Sequence, residues 1–179
     1  ALKTNTTGNV NDAFGYSALE MNTTGSNNSA FGHKALEENT TGSYNVAIGA
    51  LALDDNTTAN YNTAVGSAAL TANTTGTQLV AVGAFALDAN TTASYNTAIG
   101  YGALTNNTTG AENTAVGRSA LENNTTTNHN TAVGTGALGL NTANSNTAVG
   151  SAAMVANTAG TQNVAVGSHA LDANTTASN

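Results

Sequence analysis

The chain repeats itself every 17 residues from one end to the other. The tripeptide Ala-[Val/Ile/Phe]-Gly ends at Gly15, Gly32, Gly49, Gly66, Gly83, Gly100, Gly117, Gly134, Gly150 and Gly167. The spacing is 17 residues, with a single step of 16 between Gly134 and Gly150. Two helices need at least ~33 residues per repeat, so this period excludes the common helical repeats. The period constrains the fold more than any single motif does.

One copy, residues 62–78, reads Asn-Thr-Ala-Val-Gly-Ser-Ala-Ala-Leu-Thr-Ala-Asn-Thr-Thr-Gly-Thr-Gln. Residues at equivalent positions of successive copies form a row, and each row is named here after its member in residues 62–78. In residues 62–66 an apolar or β-branched residue alternates with a small one, which is typical of a strand. We expect a strand there, a second short extended segment over residues 69–72, and corners at 66–68 and 73–78, where Gly and Asn tolerate tight turns.

These features predict an all-β fold, a parallel β-solenoid (β-roll) of about ten coils stacked about 4.8 Å apart. Residues 1–179 are expected to form a single array. Alanine fills the Ala64 and Ala69 rows in every copy, which indicates closely packed backbones. The Val65 and Leu70 rows should form apolar ladders, and stacked Asn62-row side chains should hydrogen-bond between coils. The missing residue near Asn141 falls in a turn that can absorb it.

The predicted core is thin, because each coil supplies about one Leu, one Val and two Ala. We therefore expect lateral association, in which one apolar ladder fills the coil and the other faces a partner chain. A homotrimer is the preferred form, and hetero-association is the alternative. The chain begins in mid-repeat at Ala1 and stops in mid-repeat at Asn179, so we expect a segment of a longer fibre, or a part whose ends neighbours cover.

Composition excludes several classes of function. The fixed cations are Lys3, Lys34 and Arg118, and the formal net charge is -7, which argues against nucleic-acid binding. The chain has no Cys and therefore no disulfide or thiolate metal site. The longest apolar run, residues 79–87, is well short of the ~18 residues of a membrane span. We also expect no cofactor.

The recurring Asn-[Thr/Ser/Val]-Ala-[Val/Ile/Phe]-Gly-x-x-Ala, as in residues 45–49 and 163–167, resembles the head repeats of YadA-like trimeric autotransporter adhesins. Similar modules occur in phage tail fibres. The resemblance covers the full chain and implies a trimeric, left-handed parallel β-roll. It also implies display on a bacterial surface or a virion, where the fibre spaces or forms an adhesive tip.

Few residues suggest chemistry. Eight of the ten acidic residues follow the Leu of a repeat, and in neighbouring coils Glu37, Glu38, Asp54 and Asp55 would lie close together. They form either a calcium site or, on the preferred interpretation, a solvated face, since the Gly-Gly-x-Gly-x-Asp motif of calcium-binding β-rolls is absent.

Three tyrosines share one row, and they could contact sugars or surfaces or simply fill space beside the turn; they are Tyr44, Tyr61 and Tyr95. The three histidines fall in different rows, and no catalytic motif or phased Ser/His/Asp group is present. We expect a protein that is not an enzyme.

The Asn-Thr-Thr triplets are formal glycosylation sequons, but their regular phase favours a structural turn. The sequence therefore predicts an extracellular structural and adhesive fibre segment at a cell surface or on a virion. Its partners would be further copies of itself and a cell-surface glycan or matrix component. A self-assembling filament that stacks end to end and an ice-binding solenoid are the alternatives.

Overall fold

The computed structural model describes residues 1–178, which form one all-β rod without a helix. Each coil contributes one three-residue strand, and the ten strands form a single parallel sheet in chain order. The strands are β1 (Asp12–Phe14), β2 (Ser29–Phe31), β3 (Val46–Ile48), β4 (Thr63–Val65), β5 (Val80–Val82), β6 (Thr97–Ile99), β7 (Thr114–Val116), β8 (Thr131–Val133), β9 (Thr147–Val149) and β10 (Val164–Val166). This arrangement confirms the predicted parallel β-solenoid.

Strand pairing keeps equal positions of the repeat in register. Ala64 pairs with Ala81 between β4 and β5, and the same register holds along the sheet. Between β8 and β9 the paired residues are 16 apart, as in Ala132 and Ala148. The shorter repeat therefore keeps the register, and its missing residue is absorbed in the turn that follows Asn141, where the Asn141 side chain donates to the Ala143 carbonyl at 2.6 Å.

The predicted extended segment over residues 69–72 is wrong. Residues 67–72 are turn, because Ala68 and Leu70 both take left-handed backbone conformations, with φ of 55° at each. Alternating left-handed residues curve the chain, yet they leave every second amide parallel to the rod axis. Leu70 N–H donates to the Ala86 carbonyl at 3.0 Å, and Ala72 N–H donates to the Asp88 carbonyl at 3.1 Å. This side of the coil is therefore bonded to its neighbour without being a strand.

The interior consists of small and branched apolar side chains. Members of the Ala64, Ala69 and Leu70 rows are buried through most of the rod, and Ala64, Ala69 and Leu70 themselves are fully buried. The Val65 row lies on the outer face of the sheet instead, since a strand turns alternate side chains outward. One apolar ladder thus fills the coil while the other remains on the surface.

Two rows of asparagine complete the interior. In the Asn73 row the amides bond from coil to coil, as Asn90 Nδ2 donates to Asn73 Oδ1 at 3.0 Å. At the short repeat Asn141 Nδ2 donates to the Ala143 carbonyl instead. In the Asn62 row the bond is chiefly to backbone: Asn62 N–H donates to Asn45 Oδ1 at 3.0 Å, and Asn62 Nδ2 donates to the Gly76 carbonyl at 2.8 Å. Buried amides therefore satisfy backbone groups that the short strands leave free.

Candidate functional surfaces

The outer face of the sheet carries the largest run of exposed apolar side chains. The most exposed members of the Val65 row are Phe14 (75%), Phe31 (43%), Ile48 (43%), Ile99 (40%) and Val166 (71%). The adjacent Thr63 row adds Thr and Val, and neither row carries a charge between residues 29 and 166. We call these two rows the sheet face. A continuous apolar stripe of this kind marks an interaction surface more often than free surface.

The acidic positions lie in the Thr71 and Ala72 rows, as the sequence indicates. Glu37 is held by Lys34, whose Nζ lies 2.7 Å from Glu37 Oε2. Asp54 is half-buried, and its Oδ1 atom is buried without a hydrogen bond within the described residues. Burial, together with the charge of Glu37, raises the pKa of Asp54 to about 6. Asp54 therefore holds its proton to a higher pH than an exposed carboxyl group does.

The calcium hypothesis receives no support from this geometry. Residues 1–178 contain no group of three or more acidic or histidine side chains placed to hold a metal ion. Glu37 is paired with Lys34, which leaves Asp54, Asp55 and Glu38 without a converging geometry. The acidic rows in residues 1–178 therefore offer no assembled metal-ion site.

Several acidic side chains are paired with the residue three positions earlier, which belongs to the Ala68 row. Besides Lys34 and Glu37, Ser17 donates to Glu20, and His169 Nδ1 lies 3.3 Å from Asp172 Oδ2. The Ser17 bond and the nearby Lys3 ammonium lower the pKa of Glu20. In these three coils the Ala68 row thus supplies the donor or cation for the acidic side chain of its own coil.

The three phased tyrosines are exposed, and two of them touch. Tyr44 and Tyr61 stack with ring centroids 5.1 Å apart and an interplanar angle of 7°. Tyr95 lies two coils beyond Tyr61, because Gln78 occupies the intervening position. The structure therefore brings together a pair, and Tyr95 stands apart.

The histidines are dispersed. His33 stacks on Tyr16 at 5.5 Å, and His129 Nδ1 lies 3.1 Å from Glu112 Oε2. With His169 beside Asp172, each histidine has its own neighbour. No two of them converge, as the sequence predicts.

The glycosylation sequons are built into the rod. Through the middle of the rod the Asn of each Asn-Thr-Thr triplet is buried, and Asn73 and Asn107 are fully buried. The first Thr is half-buried, and Thr74 Oγ1 donates to the Thr91 carbonyl at 3.1 Å, whereas Thr75 is exposed. The adjacent threonines therefore differ in environment, and the asparagines serve the predicted turn rather than a glycan.

One surface groove was not found by reading the sequence. It has a volume of about 320 Å³ and lies between three successive coils; its lining residues are Phe85, Asp88, Tyr101, Gly102, Thr105, Ser119 and Glu122. The groove exists because Gly102 puts no side chain into the Ala68 row between Phe85 and Ser119. The sequence feature that could have revealed it is a glycine of the Ala68 row beside two aromatic residues; Gly136, the other glycine of the row, has no such neighbours.

Comparison with known proteins adds no further constraint. No protein-family model, curated protein or solved structure matches the chain. Residues 1–178 contain no helix long and apolar enough to cross a membrane.

Proposed function

We propose that this chain is a non-catalytic structural segment of an extracellular fibre at a cell surface or on a virion. Copies of the chain associate side by side, with a homotrimer as the preferred form, and the resulting rod spaces or displays a binding end. The proposal rests on one observation above all: the sheet face is a largely apolar stripe that carries no charge between residues 29 and 166, from β2 to β10.

A second copy of the same chain is the occupant that the sheet face fits best. Because its rows repeat at about 4.8 Å, two copies present the same spacing to each other along their whole length. Neither copy brings a charge into the contact between residues 29 and 166, so no ion is desolvated on association. Burial of Phe31, Ile48 and Ile99 then adds the apolar area that a single thin coil lacks.

The adhesive part of the proposal concerns the exposed tyrosines. The Tyr44–Tyr61 stack presents two aromatic rings outside the sheet face, where a glycan or matrix component can reach them in the assembled fibre. Tyr95 adds a separate ring two coils away.

The oligomeric state tests the proposal directly. Native mass spectrometry or light scattering of the purified chain should give a multiple of 17.6 kDa, three-fold for the preferred trimer. The variant Ile99→Lys places a charge in the middle of the sheet face and should yield a folded monomer. The control Thr109→Lys adds the same charge at an exposed corner and should leave the assembly intact.

Two results would overturn the self-association proposal. One is a wild-type chain that stays monomeric at every concentration, with circular dichroism showing sheet. The other is a filament that grows without limit and is indifferent to Ile99→Lys, which would place the contact at the rod ends instead of the sheet face.

Ice binding is a second candidate, favoured by the threonines that the sheet face repeats at regular intervals; they are Thr63, Thr97, Thr114, Thr131 and Thr147. Their hydroxyl and methyl groups alternate with the methyl groups of the Val65 row. Thermal hysteresis that disappears in Ile99→Lys, measured on a monomeric wild-type chain, would favour this function over the fibre segment.

A further inference from the structure

The groove over Gly102 is a chemically distinctive place on the rod. Phe85 and Tyr101 form one wall, with ring centroids 5.8 Å apart and an interplanar angle of 78°. Asp88 and Glu122 lie at its two ends, two coils apart, which is roughly 10 Å along the axis. Thr105 lies between them and donates its hydroxyl to Asp88 Oδ1 at 2.7 Å. The groove is therefore acidic, aromatic and open to solvent.

A comparison within the rod shows what this groove lacks. In three other coils the Ala68 row supplies a cation or donor to the acidic residue three positions on, as Lys34 does for Glu37 at 2.7 Å; the acidic residues are Glu20, Glu37 and Asp172. Asp54 is the exception, because Leu51 lies three positions before it. The corresponding residue is Phe85 for Asp88 and Ser119 for Glu122, and the coil between them has Gly102. Within residues 1–178, neither Asp88 nor Glu122 takes part in an ion pair.

Because Gly102 has no side chain, the position that other members of the Ala68 row fill with a side chain is open to a ligand. A methyl group added at Gly102 would meet only Ser119 Oγ, at 3.9 Å. A cation held there lies between the two carboxylates and beside the Phe85 and Tyr101 rings, whose faces attract cations. The volume of about 320 Å³ is at the lower end of the ~300–1,000 Å³ range of ligand sites.

We propose that the groove over Gly102 binds an alkylammonium group, which takes the place that the Lys34 ammonium holds in its own coil. A short alkyl diammonium ion engages Asp88 and Glu122 together, and its methylene chain packs against Phe85. A lysine side chain of another protein carries the same group and engages one carboxylate. The groove lies outside the sheet face, so this binding does not depend on self-association.

The test is a titration of the isotope-labelled chain, followed by nuclear magnetic resonance, with three probes in turn: 1,5-diaminopentane, Nα-acetyl-lysine methylamide and the uncharged 1,5-pentanediol. We expect saturable shifts confined to the groove residues for the two ammonium probes and none for the diol. Tighter binding of the diamine, beyond the factor of two expected from its two equivalent ends, indicates a free diammonium ligand. If the diamine and the lysine derivative bind equally well per ammonium group, the ligand of the groove is a lysine side chain of another protein.

Variants separate this site from general attraction to an acidic protein. Asp88→Asn and Glu122→Gln should each weaken diamine binding at least ten-fold. Gly102→Lys should abolish binding and raise the melting temperature, because its own ammonium fills the groove. The matched control Ala152→Lys adds the same charge in the same row three coils away and should leave binding unchanged.

The absence of saturable shifts would overturn the proposal. So would shifts of equal size at all acidic rows, or binding that survives in the folded Gly102→Lys variant, with folding verified by circular dichroism.

Discussion

At the scale of single residues, two glycines close together in the sequence differ in whether a side chain could replace them. Gly100 has φ of 135°, and a Cβ there would lie 2.6 Å from the carbonyl carbon and oxygen of Gly117. Gly102, two residues on, also has positive φ, but eight other coils carry a side chain at its position with φ between 53° and 60°. The first glycine is demanded by backbone contact, and the second is not.

This difference predicts opposite outcomes for the same substitution. Gly100→Ala should lower the free energy of unfolding by about 3 kcal/mol or more, because backbone on both sides must shift. Gly102→Ala should change it by no more than about 1 kcal/mol. Urea denaturation of the two variants checks the pair. Equal losses would show that the coils are not as closely stacked at Gly100 as described.

The raised pKa of Asp54 predicts that the stability of the fold depends on pH. This pKa is raised to about 6 by burial and by the charge of Glu37, above the value of ~3.9 in an unfolded chain. The native state therefore holds the proton to higher pH than the unfolded state does. The contribution of Asp54 to stability is complete below pH ~4, is lost as pH rises towards 6, and stays lost above that.

Replacing Asp54 with Asn should remove this loss. At pH 7 the variant should be more stable than wild type by on the order of 1 kcal/mol, since partial exposure of Asp54 screens the effect. The control Asp55→Asn removes an equal charge one residue along and should keep the slope between pH 4 and 6. Denaturant midpoints at pH 4, 5, 6 and 7 measure both, and an unchanged slope in Asp54→Asn would contradict the assignment.

At the scale of the repeating element, the buried rows form hydrogen-bonded or apolar ladders along the rod. The Asn62 row has one interruption, at Leu79, which accepts no bond from the backbone N–H of Asn96. Leu79 N–H donates to Asn62 Oδ1 at 3.0 Å, and Asn113 N–H donates to Asn96 Oδ1 at 2.8 Å. The hydrogen-bonded ladder therefore continues on both sides of Leu79. The interruption removes an amide without changing the register.

Repair of the ladder should offset the cost of placing an amide in the core. Leu79→Asn should leave the free energy of unfolding within about 1 kcal/mol of wild type, because the new amide oxygen accepts the Asn96 N–H and balances lost apolar burial. The same change at Leu87, which is also fully buried, lies in an apolar row and should cost about 3 kcal/mol or more. Similar losses in both variants, measured by thermal denaturation, would mean that the Asn62 row is not a bonded ladder.

The repeat period and the alternation in residues 62–66 were enough to predict the coil and its register. They could not predict the left-handed turn at Leu70, because leucine has no intrinsic preference for positive φ and only stacking on the next coil holds it there. The turn at residues 73–78 was predicted from its Asn and Gly residues, but the amide ladder of the Asn73 row was not, because it forms only when buried amides of successive coils are stacked. The groove over Gly102 depends on side chains from three coils, and no single repeat contains them.

At the scale of the whole molecule, the described chain is a thin rod with two unlike surfaces. The sheet face is largely apolar and repetitive, which suits contact with another copy, and the segments outside it carry the acidic side chains, the tyrosines and the groove. Because every coil bonds to the coils beside it, the rod resembles other solenoids in which stability accumulates along the axis. The proposed fibre function uses this directly: length comes from the number of coils, and lateral contact comes from one face.

The distance that each repeat adds along the rod axis is the most direct test of the stacking. The chain has no native Cys, so nitroxide labels can be attached at pairs of cysteines that replace exposed members of the Thr75 row. By double electron–electron resonance, labels at residues 24 and 92, four coils apart, should lie ~19 Å apart. Labels at residues 24 and 176, nine coils apart across the short repeat, should lie ~43 Å apart. Two narrow distributions at these distances would verify that each repeat adds one coil of about 4.8 Å; broad distributions, or distances that do not scale with the number of repeats, would contradict it.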